Sequence, residues 1–294
     1  MSISRRTLLA TIPALGLARA AHAMQVGGIL VEPLLDGPFP LTLDMIPDAR
    51  NEDGQKLLTA AGKPADGPDT IPVNGFLIRR GTGITLVDAG AGGAFGPDLG
   101  KLPGRLDAMG VEASKVGMVV LTHLHPDHSG GVLLPDGKAR FPNATLAMQA
   151  DEAAFWSSNE NMSKAGEGGA PFFNGARAAL AAYKGRWRML YGQASISPGL
   201  TAMPLPGHTP GHQGVMVADG KDSLLVWGDI IHSAALQLAR PEWSVVFDTD
   251  QAAAAATRKR VLDMVAADKV RVAGSHMAMQ GRIEKRGTGY AMVA

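Results

Sequence analysis

Short apolar runs, many of them rich in β-branched residues, alternate along the chain with segments whose apolar residues recur at helical spacing. The runs have the length and composition of β-strands. The run at 117–122 is apolar at nearly every position, which is typical of a strand buried on both faces. The predicted strands cover residues 73–78, 84–88, 117–122, 144–148, 200–205, 213–217, 223–227 and 269–273.

The predicted helices lie between these strands. Apolar residues from Leu99 to Met109 share one helical face, and Gly110 follows as a stop signal. The predicted helices cover residues 99–109, 151–156, 176–183 and 251–266. Because strands and helices alternate in two halves, the pattern predicts an α/β fold, and no linker divides the chain after residue 23 into separate domains.

Two segments without this patterning are predicted to be irregular. Residues 48–72 are rich in Asp, Gly, Pro and Lys, which favours a long surface loop. Residues 159–174 are rich in glycine, with Phe172 and Phe173 near their end, which predicts a mobile flap. The residues after the last predicted strand have the length of a terminal hairpin.

The first 23 residues have the features of an export signal. Arg5 and Arg6 form a twin-arginine pattern, and a short apolar stretch follows them. Ala21 and Ala23 are the small residues that a signal peptidase requires. The alternative, an N-terminal helix of the domain, does not account for these features together. We therefore expect residues 24–294 to form one domain of a periplasmic or secreted protein without a stable membrane anchor, because no apolar run has the ~20 residues of a membrane span.

Composition limits the chemistry that this domain can perform. The 294-residue chain is 46% apolar, carries a net charge of +1 and contains no cysteine. Removal of residues 1–23 takes away three arginines and no acidic residue, so the count of Lys and Arg falls from 28 to 25 against 27 acidic residues, and the net charge becomes −2. A slightly acidic protein lacks the electrostatic footprint of nucleic-acid binding. Without thiolates, any metal must be held by imidazole and carboxylate.

The sharpest chemical signal is the sequence THLHPDHSGG at 122–131, directly after the buried strand at 117–122. His123 and His125 project to one side of an extended chain, since alternate residues of a strand share a face. Asp127 and His128 begin a turn beyond Pro126. Four metal-binding side chains within six residues suit two adjacent metal ions better than one, and solvated loop histidines would not cluster in this way.

Three later residues complete a possible two-metal set. His208 lies in the sequence PGHTPGH at 206–212, Asp229 follows the strand at 223–227, and His276 follows the strand at 269–273. Each of them alone would be an ordinary cap or surface residue. Together, at strand ends and in this order along the chain, they favour a dinuclear site.

These motifs make the chain resemble the metallo-β-lactamase-fold hydrolases, and within them the exported methyl parathion hydrolase-like branch, which includes aryl esterases and lactonases. The motif at 206–212 is also similar to that of acyl-homoserine lactonases. The cysteine-ligated β-lactamases match poorly, because this chain has no cysteine. The stretches that carry the resemblance are 73–77, 86–92, 95–97, 122–131, 141–144 and 172–173.

The resemblance implies an αββα sandwich with two divalent ions, zinc by default, at one edge between the sheets. It implies that His123, His125 and His208 hold one ion. The other ion would be held by Asp127, His128 and His276, with Asp229 bridging the pair. The branch also suggests a homodimer.

Further residues have weaker assignments. Asp88 ends a strand, and we favour a role in orienting a ligand imidazole over that of a turn residue. His212 is interpreted as a structural histidine, whereas His232 is equally consistent with a substrate contact and with no such role. In this family, aromatic residues surround the leaving group near the positions of Phe95, Trp156, Phe172 and Phe173, although each of these four could equally be a core residue.

The predicted function is metal-assisted hydrolysis of small carboxylic esters or lactones, with phosphotriesters as a possible further class. A hydroxide that bridges the two ions would attack the substrate, and Asp127 or Asp229 would take or relay the proton. Two alternatives stay open: an acyl-homoserine lactonase that quenches signalling, and a non-catalytic periplasmic protein that binds metal or ligand. A nuclease is disfavoured, because the chain lacks a basic patch.

Overall fold

The apolar runs form two β-sheets that pack face to face in the computed structural model, which describes residues 23–293. The predicted export signal, residues 1–23, lies outside the described residues except for Ala23. The strands are β1 (Met24–Val26), β2 (Ile29–Leu41), β3 (Asp69–Arg80), β4 (Gly83–Val87), β5 (Met118–Val120), β6 (Thr145–Gln149), β7 (Trp187–Leu190), β8 (Ala194–Ser197), β9 (Leu200–Pro204), β10 (Gln213–Asp219), β11 (Asp222–Val226), β12 (Arg271–Ala273), β13 (Arg282–Arg286) and β14 (Gly289–Val293). The helices are α1 (Glu52–Ala60), α2 (Leu102–Ala108), α3 (Pro126–Ser129), α4 (Ala150–Ser157), α5 (Asn159–Ala182), α6 (Ala234–Gln237) and α7 (Gln251–Ala267), with short 3-10 turns between them.

The strand order places the two halves of the chain in separate sheets. The first sheet runs β1 to β7 in sequence order, antiparallel up to β4 and parallel from β4 to β7. The second sheet has the order β12-β11-β10-β9-β8, in which only β11 and β12 are parallel. The predicted terminal hairpin is confirmed as β13 and β14.

The hydrophobic core has three layers. Between the sheets, Phe76 and Val120 of the first sheet pack with Val215 and Val226 of the second. Helices α2, α4 and α5 cover the outer face of the first sheet, and α7 covers the outer face of the second. The structure therefore confirms the αββα sandwich. Within residues 23–293, no helix combines the length and the apolar character needed to cross a membrane.

The prediction of a long loop at 48–72 is wrong. The segment contains α1, which begins after Asn51, whose side chain accepts a hydrogen bond from the Gly54 N–H at 3.0 Å. Leu58 of this helix is fully buried. Only a narrow stripe of α1 faces the core, so its sequence is mostly polar and shows little of the apolar periodicity that predicts a helix. The N-cap residue Asn51 was the local signal for its start.

The irregular flap predicted at 159–174 is also wrong, because these residues form most of α5. The helix bends at Gly166, whose φ of 66° and ψ of −168° are outside the helical region and are tolerated by glycine. Beyond the bend, Phe173 and Leu180 are buried against the first sheet. The glycines therefore mark a kink, and packing of the second half of α5 overrides their poor helix propensity.

The strands β1, β2, β7 and β8 have no counterpart in the sequence prediction. Strand β2 contains Pro33, Pro38 and Pro40, which argue against a strand. Its partner β1 pairs only with Ile29–Val31, so most of one side of β2 is an edge, where the missing N–H of proline breaks no ladder.

Candidate metal centre

The predicted site residues lie at one edge of the sandwich, where five strands end. Within each sheet the relevant strands run in the same direction, since β4 and β5 are parallel and so are β11 and β12. Each strand is followed at its carboxyl end by a residue of the site. These residues are Asp88 after β4, His123 after β5, His208 after β9, Asp229 after β11 and His276 after β12.

The first group of side chains consists of His123, His125 and His208. Nε2 of His123 lies 3.0 Å from Nδ1 of His125, which lies 3.0 Å from Nε2 of His208. All three imidazoles are buried. The structure thus brings together the three nitrogens that the resemblance assigns to one ion.

The second group consists of Asp127, His128 and His276. Oδ2 of Asp127 lies 3.3 Å from Nε2 of His128 and 3.5 Å from Nε2 of His276. Asp127 is at the start of the short helix α3, where Pro126 occupies the first turn. Its side chain is 19% exposed, so it is the most accessible member of the group.

Asp229 lies between the two groups. It is 3% exposed, and its Oδ2 is within reach of imidazole nitrogens from both of them. The distances from this oxygen to Nε2 are 3.7 Å for His123, 3.3 Å for His128, 3.3 Å for His208 and 3.2 Å for His276. A carboxylate in this position can be shared by two ions.

Four of the imidazoles are oriented by an oxygen atom behind the ring. In each case Nδ1 points outward to the oxygen, so that Nε2, once it has lost any proton, directs its lone pair into the site. The hydrogen bonds run from His123 to Thr122 Oγ1 (3.0 Å), from His128 to Asp88 Oδ2 (2.9 Å), from His208 to Asp248 Oδ1 (2.7 Å) and from His276 to the Pro72 carbonyl (3.0 Å). Inward lone pairs on neutral imidazoles are what divalent metals require.

Asp88 serves two of these imidazoles and is not itself directed into the site. Its carboxylate accepts hydrogen bonds from the Thr122 N–H and hydroxyl, each at 2.8 Å, and from His128. Because its hydroxyl hydrogen points to Asp88, Thr122 can only accept from His123. Asp88 therefore determines the tautomer of His128 directly and that of His123 through Thr122.

The electrostatics of the cluster favour bound positive charge. Burial lowers the pKa of His208, but hydrogen bonds to Asp229 and Asp248 outweigh burial and raise the pKa to about 9. Burial likewise lowers the pKa of His128, and the charges of Asp229 and Asp127 more than reverse this effect. Burial raises the pKa of Asp229, but the surrounding histidines hold it well below its usual range.

Buried polar atoms that make no hydrogen bond point to the same conclusion. Within the described residues, Nε2 of His128 and Oδ1 of Asp229 accept or donate no hydrogen bond although both are shielded from solvent. Such orphaned atoms are rare unless they bind an ion or water. The donor set of imidazoles and carboxylates fits divalent metals such as zinc.

The two remaining histidines of the described chain have different surroundings. Nδ1 of His212 donates to the Leu205 carbonyl at 2.9 Å, and Nε2 accepts the Asp229 N–H at 3.0 Å, so both nitrogens are satisfied. Burial lowers the pKa of His212 to about 3, consistent with a neutral structural residue. His232, by contrast, faces the centre, with Nε2 at 3.2 Å from Asp229 Oδ2 and its ring stacked on His276.

A small apolar cavity of about 70 Å³ opens above the centre. Phe95 and Phe172, two of the predicted substrate contacts, lie in its wall, and His232 lies beside them. Four further wall residues were missed from the sequence, because their positions far apart in the chain gave no signal of a shared surface. These residues are Phe39, Leu41, Ile71 and Phe247.

The same two phenylalanines also line a larger groove of about 610 Å³. Leu133 and Leu134 contribute to its apolar wall. The cationic group in the groove, Arg140, is engaged by the carbonyls of Gly131 and Leu133. The wall of the groove is therefore predominantly apolar.

The substrate contacts predicted for Trp156 and Phe173 are corrected to packing roles. Both side chains are buried in the core, with exposures of 4% and 2%, and neither lines the cavity or the groove. The Trp156 ring packs against His125 with centroids 5.4 Å apart. Phe173 packs on the Trp156 ring, so these aromatics support a candidate ligand from behind.

Sequence reasoning also missed the residues that hold the ligands in place. Asp248, which accepts from His208, is itself 3.5 Å from the guanidinium of Arg258. Arg258 is 1% exposed and donates to the Ile230 carbonyl, directly after Asp229. An Asp and an Arg separated from their partners by tens of residues carry no recognisable spacing, so only the fold reveals them.

Comparisons with known proteins agree with this architecture. The N-acyl homoserine lactonase AttM of Agrobacterium fabrum is 31% identical over 175 residues, which are 50% of this chain and 60% of that protein. The chain thus spans about 60% of the length of this curated relative. A crystal structure of the hydrolase AbOPH superposes with a TM-score of 0.86 at 28% identity, covering 93% of this chain and 97% of that chain.

A second solved structure, the dizinc quorum-quenching lactonase AidC with a bound product, also gives a TM-score of 0.86, over 92% of this chain and 96% of that chain. At 24% identity this likeness shows the fold alone. The family description of the metallo-beta-lactamase superfamily matches residues 68–276, from the start of β3 to the last residue of the site. The chain therefore belongs to the metallo-β-lactamase superfamily.

Proposed function

We propose that the protein is an exported dinuclear metal-dependent hydrolase that cleaves carboxylic esters or lactones. The observation that carries the proposal is the position of Asp229 Oδ2 between the two groups of side chains, at the floor of an apolar cavity. In this assignment His123, His125 and His208 hold one ion. Asp127, His128 and His276 hold the other, and Asp229 bridges them.

Two divalent ions, zinc by default, would supply an acidified water and polarise the scissile carbonyl. The protein's own residues have complementary tasks. Asp229 is buried among imidazoles and maintains the spacing of the two groups. Asp127 is partly exposed and lines the cavity, so it is the better placed of the two carboxylates to receive the proton during hydrolysis.

The cavity wall favours uncharged, lipophilic substrates. Phe39, Phe95, Phe172 and Phe247 line the cavity, and the adjoining groove of about 610 Å³ has room for an apolar substituent. His232 lines the cavity with its Nε2 at 3.2 Å from Asp229 Oδ2, and we assign it as a substrate contact. Phosphotriesters satisfy the same requirements and are included as a further substrate class.

An acyl-homoserine lactonase is the second candidate. It is supported by the relationship to AttM, which is named as an N-acyl homoserine lactonase. Its substrates would place the lactone carbonyl at the centre and the acyl chain in the apolar groove.

The deciding experiment combines metal analysis with a substrate panel. The protein, loaded with zinc, is assayed on p-nitrophenyl esters, simple lactones, N-acyl homoserine lactones and a phosphotriester. We expect two metals per chain and turnover of esters and lactones. Activity confined to long-chain homoserine lactones would favour the second candidate, and two bound metals without turnover of any substrate would favour a non-catalytic binding protein.

A single substitution tests the ligand assignment. His208→Ala removes one of three nitrogens from the first group, so we expect the loss of about one metal per chain and of nearly all hydrolytic activity. Elemental analysis and the ester assay measure both effects. Asp36→Asn is a useful control, because Asp36 is as buried as His208 but accepts only from the backbone N–H groups of Ala91, Gly100 and Leu102. Full activity of His208→Ala would contradict the assignment.

Export follows from the twin-arginine pattern and predicts a mature chain that begins at Met24. The N-terminal sequence of the protein recovered from the periplasm or medium tests this cleavage, and the double variant Arg5→Lys, Arg6→Lys should keep the protein in the cytoplasm.

The homodimer suggested by the resemblance stays a prediction, to be measured by light scattering.

A further inference from the structure

Glu152, the third residue of α4, is completely buried and accepts four hydrogen bonds. Its Oε1 accepts from the Leu124 N–H at 2.8 Å and from Nε1 of Trp156 at 2.7 Å. Its Oε2 accepts from the Thr209 hydroxyl at 2.6 Å and from the Gly211 N–H at 3.0 Å. The carboxylate thus uses both oxygens on partners of the protein interior and none on the cavity.

Three of the four partners of Glu152 belong to the two loops that hold the first group of imidazoles. Leu124 separates His123 from His125 in the loop after β5, which belongs to the first sheet. Thr209 directly follows His208 in the loop after β9, which belongs to the second sheet. One carboxylate therefore connects, across the junction of the two sheets, the loops that supply all three nitrogens.

The fit between the helix and the second loop is close. A Cβ atom on Gly211 would lie 2.2 Å from the Glu152 backbone nitrogen, so only glycine permits this approach. Trp156, one turn further along α4, donates to Glu152 and packs against His125. The start of α4 is therefore a common support for both loops.

We propose that Glu152 is a positioning residue that sets the separation of the His123–His125 loop from the His208 loop and thereby sets the metal affinity of the first group. The proposal rests on the metal binding assumed in the proposed function, and not on the identity of the substrate. Residues that orient metal ligands typically contribute 10- to 100-fold to metal affinity, which gives the expected size of the effect.

The test is Glu152→Gln, which preserves the shape of the side chain. The substitution replaces one carboxylate oxygen, which accepts two hydrogen bonds, with an NH2 group that can accept neither of them. Zinc affinity of the purified protein is measured by competition with a chromophoric chelator. We expect one of the two zinc ions to bind about 10- to 100-fold more weakly and the other to be nearly unaffected. In the cobalt-substituted protein, the visible absorption bands of one site should change in position or intensity.

Asp36 provides the matched control. It is as buried as Glu152 and accepts from three backbone N–H groups, those of Ala91, Gly100 and Leu102, but it contacts neither loop. Asp36→Asn should therefore lower the melting temperature while the zinc affinity of the first group stays unchanged. If both variants lower stability and both keep wild-type zinc affinity, Glu152 is only structural and the proposal is overturned.

A milder variant keeps the test informative if Glu152→Gln fails to fold. Thr209→Val removes a single hydrogen bond to Glu152 and should weaken zinc binding at one site by a few-fold, whereas unchanged affinity would count against the proposal. The two proposals fail in different ways. A wild-type protein that binds two zinc ions without turnover contradicts the enzyme, while a Glu152→Gln protein that binds zinc as tightly as wild type contradicts the positioning role.

Discussion

At the scale of single residues, the chemistry of the centre depends on the oxygen atoms behind the imidazoles. The sequence predicted the histidines and aspartates themselves, because their spacing after strands is a local signal. Asp88 was also suggested by its place at a strand end. The acceptors Asp248 and Pro72 were not predictable, since they approach His208 and His276 only after the chain has folded.

The raised pKa of His208 predicts a pH dependence of metal binding. In the metal-free protein its pKa is about 9, because Asp229 and Asp248 outweigh burial, so at pH 7 the ring holds a proton that a metal must displace. Zinc affinity of the first group should therefore rise as the pH increases from 7 and should level off above about 9. Chelator competition over this range measures the effect, as does the number of protons released in calorimetry.

Asp248→Asn supplies the control for this pH dependence. It removes one of the carboxylates that raise the His208 pKa, so the affinity should level off at a lower pH than in the wild type. A wild-type affinity that does not change between pH 7 and 9 would contradict the argument.

At the scale of elements, α5 shows where sequence patterning fails and why. Its glycines predicted an irregular flap, and the structure instead has a helix that bends at Gly166. The neighbouring residues Phe172 and Phe173 then point to different surroundings. Phe172 lines both the cavity and the groove, whereas Phe173 is buried in the core. Helix propensity is a property of each residue taken separately. In α5 the packing of its second half against the first sheet stabilises the helix in spite of the glycines.

This pair of phenylalanines gives a matched comparison. Phe173→Ala should destabilise the fold by about 3–5 kcal/mol, because it opens a cavity in a closely packed core. Phe172→Ala should change stability much less, but it should raise KM about tenfold for long-chain esters and have little effect on acetate esters. Urea denaturation and kinetics along a series of p-nitrophenyl esters measure the two effects. Equal losses of stability would show that Phe172 belongs to the core and not to the substrate path.

At the scale of the whole molecule, the sandwich was predictable from its central strands and from the motifs at their ends. The strands at the periphery could not be predicted from the sequence, because β2 carries prolines on an edge and β7 and β8 are short. The junction of the sheets is where most of the titratable charge of the interior is concentrated. Carboxylates buried there among histidines must be compensated either by protons or by cations.

Metal removal should therefore lower the stability of the entire domain. A ligand that binds the folded state alone stabilises it by about 4 kcal/mol at a thousand times its Kd. We expect the melting temperature to fall in excess EDTA and to be restored by zinc, in proportion to the logarithm of the free metal concentration. The control is the same titration with magnesium, which prefers oxygen ligands and should restore little. A melting temperature that does not respond to zinc would contradict the metal centre.

The order of the site residues along the chain has a consequence for how the protein is made. His123 to His128 emerge from the ribosome with the first sheet, but His208, Asp229 and His276 belong to the second, and the last of them follows β12. A nascent chain that has folded only its first sheet presents an incomplete set of ligands. Metal capture should thus be one of the final events of synthesis, and a bound ion would report that both sheets have formed and docked.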